Sequence, residues 1–209
     1  LCGLCALVAS GCLRQAQTGQ TRSAPIEPLQ EGKDPEVVVT DQPSAVFVLR
    51  GQPLCFMGTN NYYVPYKGKE MATDVFEAAA AMGLEVIRTW GYIDRGSLDG
   101  TVASTDGDGT KDGVYFQYWD AEAGRPAYNE GDDGLPNLDY VLDQASKHGI
   151  KMLVVFTNSW KDMGGMDQYL EWYGIEHHHE FYTDPRARRA YKDWVHYLMD
   201  PVLDKGYQF

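Results

Sequence analysis

The residues best placed to do chemistry are Arg88 and Trp90, inside the octapeptide Glu85-Val86-Ile87-Arg88-Thr89-Trp90-Gly91-Tyr92. A guanidinium is a fixed planar fork that holds a carboxylate by paired hydrogen bonds. An indole two residues on projects from the same side of an extended chain, because strand side chains alternate with period 2. A structural reading competes with this one: Arg88 closes a buried ion pair and Trp90 fills core.

The chain as a whole favours aromatic surfaces over charged ones. Fourteen Tyr and five Trp make an aromatic-rich chain. Such rings build cores and are also the usual platforms for sugar rings. The net charge of −12 leaves no basic stripe to neutralise phosphates, so a nucleic-acid partner is excluded. Three further clusters carry less. His177-His178-His179 lacks a second ligand pair at metal spacing and reads as a solvated loop. Asp106-Gly107-Asp108-Gly109 departs from the calcium-loop pattern at Thr110 and Lys111 and reads as a flexible acidic turn. Glu77, Glu122 and Glu130 end no strand and read as solvated surface, so no metal and no cofactor is expected. Trp119 either lines a cleft or packs its loop onto the body of the domain. Cys55, in an apolar run, reads as a small buried residue.

These residues need a scaffold, and the pattern around them supplies one. Glu36–Thr40 and Ala45–Arg50 are strand-like runs, expected to form a hairpin, with Gly51-Gln52-Pro53 turning the chain into a third run, Leu54–Gly58. Met71, Val75, Phe76, Ala79 and Met82 then recur at helical spacing and stop at Gly83. Val86-Ile87 is a second buried strand, and Asp94–Gly134 reads as one long loop, of a length usually reserved for function. Leu138, Val141, Leu142 and Ala145 mark a helix closed by Gly149. Ile150–Phe156 is a third strand, and Asp184-Pro185 opens a last helix with Tyr191, Trp194, Val195 and Leu198 on one face. The order is a hairpin followed by three β-α units, an α/β chain with parallel strands. No Gly-rich phosphate loop follows the first strand; each strand ends instead in Asn, Tyr, Arg or Trp. Functional residues at the C-terminal ends of several parallel strands are the habit of a (β/α)8 TIM barrel, which needs about 250 residues. The expectation is the N-terminal part of such a barrel over residues 36–209, stopping before a fourth strand.

Several segments resemble endo-β-1,4-mannanases of glycoside hydrolase family 5. They are Phe56–Tyr63 (FMGTNNYY), Val86–Gly91 (VIRTWG), Gly113–Asp120 (GVYFQYWD), Asn158-Ser159-Trp160, Gly164–Tyr169 (GGMDQY) and Phe181–Pro185 (FYTDP). The resemblance runs from about Phe47 to about Leu203. It implies a retaining hydrolase of β-mannan with two catalytic Glu whose carboxyl groups stand about 5–5.5 Å apart. Neither is expected within the 209 residues, which contain no Asn-Glu-Pro, so the chain alone is expected to be inactive. By the resemblance Arg88 supports the nucleophile, and Trp90, Trp160, Asn158 and Tyr63 bind substrate. A β-1,4-glucanase (cellulase) of the same superfamily and a non-catalytic surface glycan-binding lipoprotein are the alternatives.

The first residues point to export. Leu1–Gly11 is apolar with small residues before Cys12, and Ala9–Cys12 resembles the lipobox of bacterial lipoproteins. Residues 1–12 are expected to be a signal-peptide remnant, with Cys12 lipidated or cleavage simply following Gly11. Residues 13–35 are expected to be a flexible linker to a secreted or lipid-anchored protein at the bacterial cell surface or periplasm. No run of about 18 or more apolar residues is present, so membrane contact is expected only through that anchor.

Overall fold

A computed structural model describes residues 47–49 and 51–204, with the backbone alone for 47–49 and 200–204. The lipobox-like stretch with Cys12, the 13–35 linker and the Glu36–Thr40 run lie outside the described residues. The chain divides into two units, Leu1–Met57 and Gly58–Phe209.

In the first unit β1 (Phe47–Leu49) and β2 (Gln52–Leu54) pair antiparallel, with Phe47 opposite Leu54 and Leu49 opposite Gln52. The second run pairs with the segment expected to be a turn, because Gly51 reverses the chain at φ +75, as tight hairpin turns require. Pro53 is tolerated because both strands of a two-stranded ribbon are edges. Cys55 follows this hairpin in no strand and is exposed, not buried as expected.

In the second unit β3 (Gly58–Asn60), β4 (Val86–Trp90) and β8 (Lys151–Val155) form a parallel sheet in the order β3-β4-β8. Gly58 lies opposite Val86, Asn60 opposite Arg88, and Arg88 opposite Leu153. Helix α1 (Lys69–Ala81) joins β3 to β4, and α2 (Pro136–Lys147) precedes β8. Both helices end at a glycine with positive φ, Gly83 (+72) and Gly149 (+68). In each the first strand-ward amide bonds back into the helix, Leu84 to Ala79 and Ile150 to Ala145, both at 2.9 Å. That shared ending is what makes the two α-β joints legible in the sequence. Among the described residues β8 pairs on one side only, as expected of the third strand.

The core follows from strand alternation. Ile87, wholly buried, packs with Phe76, Ala72 and Ala79 of α1 and Val141 and Ala145 of α2. The α1 face is rotated slightly from expectation: Ala72 is buried, while Met71 is 47% and Met82 69% exposed. The α2 face holds as expected, with Leu138, Val141, Leu142 and Ala145 all buried.

The region expected to be one long loop is structured. β5 (Asp94–Ser97), β6 (Gln117–Asp120) and β7 (Arg125–Tyr128) form a second sheet, with β5 and β6 parallel and β6 and β7 antiparallel. These strands have four residues each and β5 has no apolar alternation, so periodicity could not mark them. The β6–β7 turn is held by the Asp120 carboxylate, which accepts the Glu122 and Ala123 amides at 3.0 Å each. Helix α3 (Gly165–Tyr173) was also hidden, since it starts on two glycines of positive φ. A 3-10 turn, His178–Tyr182, follows; the histidine run is exposed as expected, with His177 extended as the N-cap and His178 and His179 in the turn rather than in a loop. Helix α4 (Pro185–Asp204) begins as expected, its N-terminal amides of Arg186 and Ala187 capped by the Asp184 carboxylate. Trp194 and Leu198 of α4 pack with Tyr92, Ile93 and Phe116.

Because Ile87 sits at the meeting of strand and two helices, Ile87→Ala should lower the unfolding free energy by about 2–5 kcal/mol. Urea denaturation followed by circular dichroism checks this; a loss well below that range would mean the helices collapse onto the cavity.

Candidate functional site

Strand alternation that sends Ile87 to the helices sends Arg88 and Trp90 to the opposite face. β4 is paired on both sides, so that orientation is fixed by two ladders. Arg88 Nη1 donates to Asn60 Oδ1 at 2.9 Å, tying it to the end of β3. This bond is exposed, and no acidic residue closes a salt bridge with Arg88 among the described residues.

Around Arg88 the strand ends carry a connected run of aromatic rings. Trp90 stacks on Tyr92 with centroids 5.8 Å apart and lies 5.4 Å from the Tyr62 ring. Tyr62 in turn meets Tyr63 edge-on at 5.8 Å. Tyr63, the expected binding residue, is thus one ring removed from Trp90, and Tyr62, 47% exposed, is the direct neighbour. The Asn61 side chain shapes this corner by accepting the Tyr63 and Val64 amides. The sequence alone marks neither Tyr62 nor Tyr92 as a site residue. The signal for Tyr92 was its place two residues after Trp90, where an extended chain puts it on the same side.

The end of β8 joins the same cluster. Asn158 Nδ2 donates to the Tyr92 hydroxyl and to the Asp162 carbonyl (3.1 Å), and its Oδ1 accepts the Trp160 amide at 2.6 Å. The Trp160 side chain itself is 72% exposed. Arg88, Trp90 and Asn158, with the loop that bears Trp160, therefore lie at one end of the sheet, as the sequence led one to expect. Burial pushes the Tyr92 hydroxyl above its ordinary range, so it stays a neutral phenol, and the Asn158 contact only partly offsets that rise.

Behind the Trp160 loop the second sheet and α3 form a polar brace. Asp106 accepts the Met163 amide at 2.6 Å and pairs with Lys111 at 2.6 Å. The acidic turn is therefore pinned rather than flexible, because its first carboxylate caps a neighbouring loop. Gln168 accepts the Thr105 amide and donates to the Ala103 carbonyl, while Trp172 Nε1 donates to the Arg95 carbonyl at 2.9 Å. Deeper still, Gln117 Nε2 bridges Asp94 Oδ1 (2.7 Å) and the Tyr169 hydroxyl (2.9 Å). Asp94 is fully buried with Oδ2 unpartnered, and desolvation raises its carboxyl well above the ordinary 3.8. Trp119 packs edge-on against Tyr173 of α3 at 5.3 Å, on the bracing side of this sheet. Glu77, Glu122 and Glu130 are exposed as expected; Glu130 accepts a hydrogen bond from Tyr197. Among the described residues no cluster of side chains is arranged to hold a metal ion.

No family model matches the chain. Curated proteins do. The mannan endo-1,4-beta-mannosidase F of Aspergillus clavatus is 36% identical over 159 residues, covering 76% of this chain and 34% of that protein. The mannan endo-1,4-beta-mannosidase A of Emericella nidulans is 36% identical over 150 residues, covering 71% and 36%. The chain thus spans about a third of the length of the curated relatives it matches. Among solved structures, the endo-1,4-beta-mannanase of Rhizomucor miehei superposes with a TM-score of 0.61 at 32% identity, over 72% of this chain and 38% of that one. An endo-beta-1,4-mannanase from Thermotoga petrophila gives 0.51 at 33% identity, over 68% and 29%. A glycoside hydrolase family 5 mannosidase from Rhizomucor miehei, 20% identical with a TM-score of 0.52, shares the fold over 72% of this chain and 40% of that one.

The buried Asp94 makes a pH prediction. Its folded pKa is raised, so the fold favours the protonated acid. Stability from this group is complete below the ordinary 3.8 and falls as pH rises from there toward the raised value, because the unfolded chain releases its proton first. Asp94→Asn cannot ionise and should remove that slope. Urea midpoints of both proteins between about pH 4 and pH 8 check this, with the difference between them shrinking at the acid end.

Proposed function

From homology to the endo-1,4-β-mannanases of glycoside hydrolase family 5 along 76% of the chain, we propose that this protein is a retaining hydrolase of β-1,4-mannan. The three parallel strands are then the first part of a (β/α)8 barrel, with the substrate crossing their C-terminal ends. The observation that carries this reading is the convergence there of Arg88 with a connected set of aromatic rings.

Each residue has work that its chemistry suits. Trp90 and Trp160 offer faces on which sugar rings stack, with Tyr62 and Tyr63 extending the first of them. Asn60 accepts one N–H of Arg88 and so fixes the plane of the fork. The remaining N–H groups serve a carboxylate nucleophile supplied by sequence outside the 209 residues and keep it ionised. In the retaining mechanism that carboxylate attacks the anomeric carbon while a second carboxyl protonates the leaving oxygen; water then completes hydrolysis, with the second group acting as base. Export, with a lipid tether on Cys12, would place the enzyme beside a polymer too large to enter the cell.

The test is to assay the full-length protein on mannan, glucomannan and cellulose. Mannan cleavage is expected, and Arg88→Ala should reduce kcat on the order of 100-fold, the scale seen when a fixed catalytic hydrogen-bond donor is lost. Cleavage of cellulose alone would keep the fold and overturn the substrate. A protein that binds mannan without cleaving it would make this a glycan-binding lipoprotein.

A further inference from the structure

Trp160 presents an unusual combination: an indole 72% exposed on a loop whose backbone is fastened at every turn. Asn158 Oδ1 accepts the Trp160 amide, Asn158 Nδ2 reaches the Asp162 carbonyl, and the Asn158 carbonyl accepts the Met166 amide at 2.9 Å. Met163, at φ +60, is held in the left-handed region by two bonds: its amide to Asp106 and its carbonyl from the Asp94 amide at 2.8 Å. At Gly165 a Cβ would stand 2.7 Å from both Asn158 Oδ1 and the Trp160 carbonyl, so the loop closes on itself with no room for a side chain. The Asn158 amide is the staple of this loop, and its one side-chain partner is the Tyr92 hydroxyl.

Tyr92 is fully buried and its ring stacks on Trp90. One side chain therefore supports the half-buried Trp90 with its ring and the loop bearing the exposed Trp160 with its hydroxyl. We propose that Tyr92 is a positioning residue that sets the spacing between the Trp90 and Trp160 platforms through its bond to Asn158, and so tunes affinity for the oligosaccharide. The identity of that ligand rests on the mannanase reading. Asn158 then acts through Trp160 rather than on the sugar, since both polar atoms of its side chain are engaged within the protein. The physical gain is preorganisation: a loop ordered before binding loses less conformational freedom when a sugar stacks on it.

Tyr92→Phe keeps the ring on Trp90 and deletes only the hydroxyl, and Asn158→Ala removes the staple from the other side. In the full-length protein both should speed hydrogen exchange at the Trp160 amide and weaken binding of a thio-linked β-1,4-mannohexaose, which the enzyme cannot cleave, about fivefold by calorimetry, the value of one hydrogen bond. In a Trp160→Ala background Tyr92→Phe should weaken binding no further, because its effect passes through the missing indole. Unchanged exchange and affinity in Tyr92→Phe would overturn the proposal, as would an equal loss of affinity with and without Trp160. If the thio-linked mannohexaose does not bind the unaltered protein, the substrate reading fails, and exchange at Trp160 in Tyr92→Phe still decides the positioning role.

Discussion

The double pairing of β4 is the constraint on which the rest depends. A strand with a ladder on each side cannot slip by one residue without breaking both, and a one-residue slip would exchange its two faces. With the register held, Ile87 and Thr89 are committed to the helices and Arg88 and Trp90 to the opposite surface. The buried side supplies stability, on the order of 1.5–3 kcal/mol for a wholly buried aliphatic side chain such as Ile87. On the other side, among the described residues, the Arg88 guanidinium makes one exposed hydrogen bond, to Asn60.

Around that strand the molecule separates apolar from polar fastening. Phe76, Ile87 and Val141 join α1, β4 and α2 by close packing, with one hydrogen bond between the helices, Thr73 to Tyr140 at 2.7 Å. The second sheet and α3 are joined by directional bonds: Gln168 to Ala103 and Thr105, Trp172 to Arg95, Gln117 to Asp94 and Tyr169. Hydrophobic contact is non-directional and tolerates small shifts, whereas hydrogen bonds fix angle and distance. The polar set lies behind the loop that bears Trp160, where orientation matters more than adhesion. Its burden is the buried Asp94 carboxyl, whose Oδ2 has no partner and whose pKa desolvation raises above the ordinary range.

The aromatic residues divide in the same way. Tyr169, Trp172 and Phe181 meet edge-on inside the α3 region and are buried there. Tyr62 and Trp160 are exposed at the strand ends. High Tyr and Trp content in the sequence thus covers two uses, a core of crossed rings and a surface of open ones, and the position on a strand or loop decides which.

The sequence by itself determined the β-α alternation, the helix ends at Gly83 and Gly149, the Asp184 cap and the placing of Arg88 and Trp90 on one face. All of these rest on short-range rules: helical spacing, the φ freedom of glycine, side-chain capping and strand alternation, each contained within a dozen residues. Only the tertiary structure decided that Asp94–Gly134 carries a three-stranded sheet, that α3 starts on two glycines, that β1 pairs with residues read as a turn, and that Cys55 is exposed. Asp94 pairs with Gln117 across 23 positions, Asp106 caps Met163 across 57, and Tyr92 holds Asn158 across 66. A contact at that separation leaves no period in the local sequence, because each partner is chosen by the folded surroundings of the other.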